Sequence, residues 1–474
     1  MRKITILLIG FTFILGACKK ETKQVKQPKK KASKALSYAE EELENAIIYE
    51  ANIRQYSEKG TFDEFTKNIP ELKKLGVKII WLMPIFPISE TNRKATGDKF
   101  AHEFPEEERK RYLGSYYAVS DFKKINPEFG TIEDFRKLIK TAHDNEMFVI
   151  LDWVPNHTGW DHGWLQSNPD FYTKNDKGEI TDPLNEDGTS KGWNDVADLN
   201  YENPELRKTM IHDMLYWIEN ENIDGFRCDV AGSVPTSFWE EAIPQIRAKK
   251  NVFMLAEAWE PELLQGNLFD MGYGWDRHHT MNHIAKDEKS VEEWDITFNK
   301  DAERYEEDDI LMTFITNHDE NSWNGTIQER MGEASELFTV LSYVAPGMPL
   351  IYSGQEYGLK HRLKFFEKDQ ISHEKGKEWE VLKKLGKLKT DNIALHGGKK
   401  AASYSRLTSN DNVLIFKRKN KDKELIFIGN LSSEPTKQVL KLDMQYTDFF
   451  HQQIIDKTTK EIELGAWEYK VLIN

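Results

Sequence analysis

From about Asn45 the chain alternates short apolar runs with stretches in which apolar residues recur every three or four positions. Ala46-Ile47-Ile48-Tyr49 reads as a strand. Phe62 to Leu75 reads as a helix, because Phe62, Phe65, Ile69, Leu72 and Leu75 share one face, and Gly76 ends it. Val77 to Leu82 is the next strand. The unit then repeats. Helix Ile132 to Ala142 precedes strand Phe148 to Asp152, helix Leu206 to Glu219 precedes the segment Gly225 to Ala231, and helix Ser237 to Arg247 precedes Val252 to Glu257. Further strands are predicted at Leu268-Phe269-Asp270, Leu311 to Ile315 and Leu350-Ile351-Tyr352. Helix–strand alternation requires parallel strands with helical crossovers, and about eight of them predict a (β/α)8 TIM barrel rather than an open sheet.

Two stretches break this rhythm. Residues 158–203 are rich in Gly, Asn, Asp and Trp and lack helical spacing, which predicts an excursion between the third and fourth strands on the side of the strand ends. Beyond Leu395 the pattern becomes short alternating strands, at Asn412 to Phe416, Glu424 to Ile428 and Val471 to Ile473, predicting an antiparallel β domain. The expected layout is therefore a barrel over 41–157 and 204–395, an inserted domain over 158–203, and a C-terminal β-sandwich over 396–474.

The N-terminus follows other rules. Met1-Arg2-Lys3 is positive, and Ile4 to Leu15 is apolar but short for a membrane span. Leu15-Gly16-Ala17-Cys18 resembles a bacterial lipoprotein signal. The expectation is export, lipidation of Cys18, a lipid anchor in a membrane, and a polar tether over 19–40. Cys228 is the one other cysteine, which excludes a disulfide framework and leaves it as a small buried residue. A chain of 474 residues supports a large core, and the net charge of −14 argues against a nucleic-acid partner. Oligomeric state is not encoded in these features.

Active sites of such barrels lie at the carboxyl ends of the strands. There the third strand carries Asp152-Trp153-Val154-Pro155-Asn156-His157, the fourth Arg227 and Asp229, the fifth Glu257, and the seventh Asn317-His318-Asp319. Arg227 and Asp229, two apart on a strand, point the same way. A guanidinium there favours an ionised carboxylate, fit either for nucleophilic attack or for a structural ion pair. Taken singly, His157 and His318 read as satisfied core histidines. Three carboxylates, two histidines and an arginine on four strand ends of one barrel favour a site.

These motifs, in this order, resemble the four conserved regions of the α-amylase family, glycoside hydrolase family thirteen. Gly114-Ser115-Tyr116-Tyr117-Ala118-Val119-Ser120-Asp121-Phe122, Pro127-Glu128-Phe129-Gly130-Thr131, Val196-Ala197-Asp198-Leu199-Asn200 and Gly347 to Glu356 extend the resemblance. It implies Asp229 as nucleophile, Glu257 as general acid/base and Asp319 as the third carboxylate. It also implies Tyr117, Asp152, His157, Arg227 and His318 around the sugar at the cleaved bond. Asn156 and Asp198 match positions that often bind calcium, so a calcium ion is the one cofactor implied. Gly232-Ser233 departs from the Lys-His pair that many members carry after the nucleophile strand. With Arg227 beside it, Asp229 is expected to have a lowered pKa, and Glu257 a raised one. The function implied is hydrolysis of α-1,4-glucosidic bonds in starch-like glucans or maltooligosaccharides, through a covalent glycosyl-enzyme. The alternatives are a glucosyl-transferring or disaccharide-converting relative and a non-catalytic glucan-binding barrel.

Overall fold

A barrel strand is apolar on both faces, because one meets the barrel interior and the other the surrounding helices. The computed structural model describes residues 43–185, 187–266 and 268–474. The barrel strands are β1 (Ile48–Ala51), β2 (Ile79–Leu82), β3 (Phe148–Trp153), β4 (Gly225–Cys228), β5 (Phe253–Ala256), β6 (Gly272–Tyr273), β7 (Leu311–Thr313) and β8 (Met348–Tyr352). They form one eight-stranded sheet in the order β5-β4-β3-β2-β1-β8-β7-β6, and a parallel bridge between Leu255 and Met271 joins its two ends.

Alternation along the strands divides the core in two. Ile48, Ile79, Trp81, Phe148, Ile150, Phe253, Leu255, Met312 and Leu350 pack together inside the barrel. Tyr49, Ile80, Val149, Leu151, Met254 and Ile351 pack outward against the helices. The same period of two turns Glu50, Asp152 and Glu257 inward, because each follows an inward residue by two positions. Helices are started by local chemistry. Thr131 and Asp134 form a capping box at Ile132–Asp144, whose Phe135, Leu138, Ile139 and Ala142 are buried. Asn203 caps Pro204–Asn220 by accepting the Glu205 N–H at 2.9 Å.

Gly225 opens β4 at φ +149°, and a Cβ there would lie 1.8 Å from the Phe253 carbonyl oxygen. Gly225→Ala is therefore expected to force β4 from β5 and to destabilise the fold by about 3 kcal/mol. Urea unfolding of the variant checks this. An unshifted midpoint would refute the close approach.

Two expectations change. The helix expected over Phe62 to Leu75 is two, Phe62–Thr66 and Ile69–Lys74. Pro70 has no N–H to continue the first helix, and apolar spacing alone does not report that break. The sixth strand is Gly272–Tyr273, not Leu268-Phe269-Asp270. Phe269 is buried from a loop, and Asp270 accepts the Met254 N–H at 2.8 Å. A two-residue strand is too short to show a period.

After β3, His157–Gly159 pairs antiparallel with Val196–Asp198, bracketing the excursion. The C-terminal strands are β9 (Ser403–Arg406), β10 (Val413–Asn420), β11 (Lys423–Asn430), β12 (Thr436–Val439), β13 (Tyr446–Asp448), β14 (Ile454–Ile455), β15 (Glu461–Leu464) and β16 (Tyr469–Ile473). A six-stranded antiparallel sheet, β9-β10-β11-β16-β13-β14, lies with the two-stranded sheet β12-β15. Val413, Ile415, Ile426 and Ile428 share a cluster with Ile462 and Leu464 of β15. The alternate residues Leu414, Phe416, Leu425 and Phe427 join the large core that includes the barrel helices. The segments expected to be a signal and a tether, with Cys18, lie outside the described residues.

Candidate active site

Arg227, wholly buried in β4, organises the strand ends. Its Nη1 donates to Asp152 Oδ1 and to Asp229 Oδ1, both at 2.8 Å. Its Nη2 lies 2.8 Å from Glu257 Oε2 as an ion pair, and its Nε donates to Tyr273 Oη at 3.2 Å. The guanidinium stands 4.9 Å from the Trp81 ring centre. One cation thus serves three carboxylates from three adjacent strands.

Asp152 also accepts from Trp81 Nε1 at 3.1 Å and from Tyr117 Oη at 3.0 Å. Asp152 and Arg227, expected around the sugar, do not line the cleft. They sit behind it and orient what does. The cleft, of about 500 Å³, is lined by Tyr117, His157, Asp229, Glu257, His318 and Asp319. His318 Nε2 lies 2.8 Å from Tyr117 Oη and 3.4 Å from Asp319 Oδ2, while its Nδ1 meets Glu50 Oε1 at 2.5 Å.

Burial raises a carboxyl pKa, and here it outweighs the arginine. Asp229 is pushed up to about 6: desolvation dominates, Arg227 opposes, and Asp152 and Asp319 add to the rise. Arg227 does pull the value down, as expected, but the net shift is upward, because desolvation by burial outweighs it. Asp152 is likewise raised to about 6 by burial. Glu257 goes to about 7, by burial and then by Asp229 and Asp319 against the pull of Arg227, as its neighbours led us to expect. Burial lowers His157 to about 3, with Lys191 adding, so its ring is neutral. Burial also works against charge on His318, but Asp319 and Glu50 prevail and raise it to about 9.

The turn after Asp229 is strained. Val230, a β-branched residue, has φ +38° and ψ 46°, and its N–H donates to Glu257 Oε2 at 2.8 Å. Such residues rarely adopt this conformation, and its persistence beside two cleft carboxylates marks a functional turn.

The family model of the α-amylase catalytic domain matches residues 46–392. The chain belongs to the α-amylase family. Among its relatives, an α-amylase of Haloarcula japonica is 24% identical over 420 residues, covering 85% of this chain and 58% of its own length. A cyclomaltodextrinase of Thermoanaerobacter pseudethanolicus is 26% identical, over 81% of this chain and 67% of its own. The crystal structure of a noncanonic maltogenic α-amylase from Thermotoga neapolitana superposes with a TM-score of 0.78 at 27% identity, covering 91% of this chain and 99% of that one. This chain thus spans little more than half the length of the Haloarcula relative.

Within this α-amylase-family site, the pair expected to bind calcium is sparse. Asn156 Nδ2 lies 3.2 Å from His157 Nδ1, and among the described residues no three His, Cys, Asp or Glu side chains form a metal-holding group. Calcium takes six to eight oxygens, backbone carbonyls and waters included, so Asn156 and Asp198 would supply only part of such a shell. Cys228 is buried and free. Sequence reasoning missed Glu50, Trp81 and Tyr273. The inward parity of Glu50, two residues after Ile48, was a usable signal. It also missed Trp193 and Phe365, which reach the cleft from loops, and Trp323, which reaches it from the helical turn Glu320–Asn324.

Proposed function

We propose that this chain is a retaining glycosidase that hydrolyses α-1,4-glucosidic bonds in starch-like glucans or maltooligosaccharides. The observation that carries this reading is that Asp229 and Glu257, on adjacent strand ends, share Arg227 and line one cleft. Acetal cleavage needs one ionised and one protonated carboxyl, flanking an oxocarbenium-like centre. In the first step Asp229 Oδ attacks the anomeric carbon while Glu257 gives its proton to the departing glycosidic oxygen. In the second, Glu257 takes a proton from water, whose oxygen attacks the same carbon and releases Asp229. Tyr117 is the platform under the reacting sugar. Neutral His157 and charged His318 donate to its hydroxyls, and Asp319 binds a hydroxyl pair.

Incubation with starch, pullulan, maltotriose and cyclodextrins, with product identification, tests the substrate class. Inactivity on every α-glucan would sink the reading. Relatives include a 4-α-glucanotransferase of Thermotoga neapolitana, 26% identical over 64% of this chain. An arm with added glucose therefore distinguishes transfer from hydrolysis, by longer products appearing only when acceptor is present.

The pH profile of kcat/KM follows from the same groups. Asp229 must be ionised, giving an acid limb near about 6, and Glu257 protonated, giving an alkaline limb near about 7. Because the two interact, the limbs belong to the pair. A narrow bell between them is expected. A plateau running beyond pH 9 would contradict the assignment of Glu257 as acid.

A further inference from the structure

Four side chains run in one hydrogen-bonded line from the cleft wall into the barrel. Asp152 is on β3, Tyr117 follows β2, His318 follows β7, and Glu50 is on β1. Tyr117 Oη lies 3.0 Å from Asp152 Oδ2 and 2.8 Å from His318 Nε2, and His318 Nδ1 lies 2.5 Å from Glu50 Oε1. Strand register brings Glu50 to this place, because it stands between Trp81 of β2 and Tyr352 of β8. Glu50 is wholly buried and does not line the cleft. Among the described residues its ion-pair partner is His318, and its Oε2 has no hydrogen-bond partner.

Counting hydrogens along the line fixes the state of the ring. Tyrosine has one O–H, and Tyr117 donates it to Asp152 Oδ2. The 2.8 Å contact at Tyr117 Oη then takes its hydrogen from His318 Nε2. The contact at Nδ1 holds a second hydrogen, because an ionised carboxylate has none to give. An imidazole with both hydrogens is a cation. A carboxylate buried without a cation is costly, so Glu50 and a charged His318 stabilise each other. Burial raises the Glu50 carboxyl, and His318 pulls it back. The groups facing the ring give the same balance. Burial opposes its charge, Asp319 and Glu50 outweigh burial, and Arg227 is a lesser opponent. Asp152, beyond Tyr117, also feels the charge, and it lowers the Asp152 carboxyl. Burial raises the Tyr117 and Tyr352 hydroxyls, so both are neutral.

Neighbouring rings set the plane of His318 but not its charge. Tyr117 stacks on it with centres 5.4 Å apart at 25°, and Trp81 meets it edge-on at 5.9 Å. Glu50 alone among the described side chains contacts Nδ1. The consequence falls on Nε2, the nitrogen beside Tyr117 and Asp319 in the cleft wall. A charged N–H is roughly twice as strong a donor as a neutral one.

We propose that Glu50 is a positioning residue for the reaction: through Nδ1 it keeps His318 doubly protonated, with a charged N–H at Nε2 facing the cleft. It touches no substrate and acts through His318. Its effect on turnover rests on the proposed glycosidase reading. The first test is spectroscopic and uses the full chain with isotopically labelled histidine. The Cε1 resonance of His318 is the one absent from His318→Gln. In the unsubstituted chain this ring is expected to be charged at pH 8 and to titrate near about 9. In Glu50→Gln, which keeps the shape and removes the charge, it is expected to titrate near about 7. The second test is activity. Glu50→Gln is expected to lower kcat/KM on maltotriose about 10-fold at pH 8 relative to the unsubstituted chain, and by less than about 2-fold at pH 5, where the variant ring regains its proton. A ring already neutral at pH 7 in the unsubstituted chain would overturn the proposal, and that measurement needs no variant to fold. An unchanged midpoint in Glu50→Gln, or equal losses at the two pH values, would overturn it as well. Failure of the glycosidase reading looks different: the unsubstituted chain would then be inactive on maltotriose, while the titrations would still report on Glu50.

Discussion

Asp229→Asn is expected to lower kcat on starch by about 10,000-fold or more while maltooligosaccharides still bind. The amide keeps the size and the acceptor oxygen that Arg227 Nη1 holds at 2.8 Å, so the cleft keeps its shape. It removes the negative charge that attacks the anomeric carbon. Binding by Tyr117, His157, His318 and Asp319 needs none of that charge. Calorimetric titration with maltotriose, beside kcat from reducing-sugar release, separates the two effects. A variant that retains a tenth of the parent kcat would exclude Asp229 as nucleophile, and one that loses both turnover and binding would point to a structural ion pair.

Arg227→Leu should produce the largest stability loss, about 3–5 kcal/mol, because it strands three buried carboxyls without their cation. The effect has a pH signature. Asp152, Asp229 and Glu257 already have folded-state pKa values raised to about 6, 6 and 7 by burial. A carboxyl with a raised folded pKa contributes stability below its unfolded pKa and loses it as pH rises through the folded value. Without Arg227 these pKa values rise further, so the penalty is small where the acids are protonated and full where they are ionised. Urea unfolding of parent and variant at pH 5 and pH 8 reads this directly, with the larger difference expected at pH 8. Equal differences would mean that Arg227 acts through packing against Trp81 and Tyr273 rather than through charge. Lysine is not expected to substitute, since a single ammonium cannot serve three carboxylates and a tyrosine from fixed nitrogens.

These two residues also show what could be read from the chain. Arg227 and Asp229 share a face because a strand has a period of two, and that period is visible in the residues around them. Strands such as β3 and β5 were legible for the same reason, each being a buried apolar run bounded by helix spacing. β6 was not, because two residues carry no period. Pro70 was visible, but the apolar spacing on either side of it outweighed its missing N–H in the reading.

The trio Asp229, Glu257 and Asp319 stood out because each is a carboxylate ending an apolar strand. Glu50, which follows Ile47-Ile48-Tyr49, carried the same contrast, whereas Tyr273 did not. Their meeting with His318 and Arg227 depends on barrel closure, which brings β1 and β6 near residues far away in sequence. The rise of the Asp229 pKa was hidden for a related reason. Its nearest charged neighbour in sequence is an arginine, whereas the burial that raises it, and the carboxylates Asp152 and Asp319 that add to the rise, depend on other strands of the closed barrel. Trp323 and Phe365 are set by loop packing, such as the hold of Arg54 on Phe365 across 311 residues.

The central claim is double displacement at Asp229, and the anomeric configuration of the first product tests it most directly. Proton NMR of maltotetraose hydrolysis, recorded before mutarotation, is predicted to show the new reducing end appearing as the α anomer, because two inversions restore the starting configuration. First appearance of the β anomer would mean a single displacement by water, and would contradict Asp229 as a nucleophile.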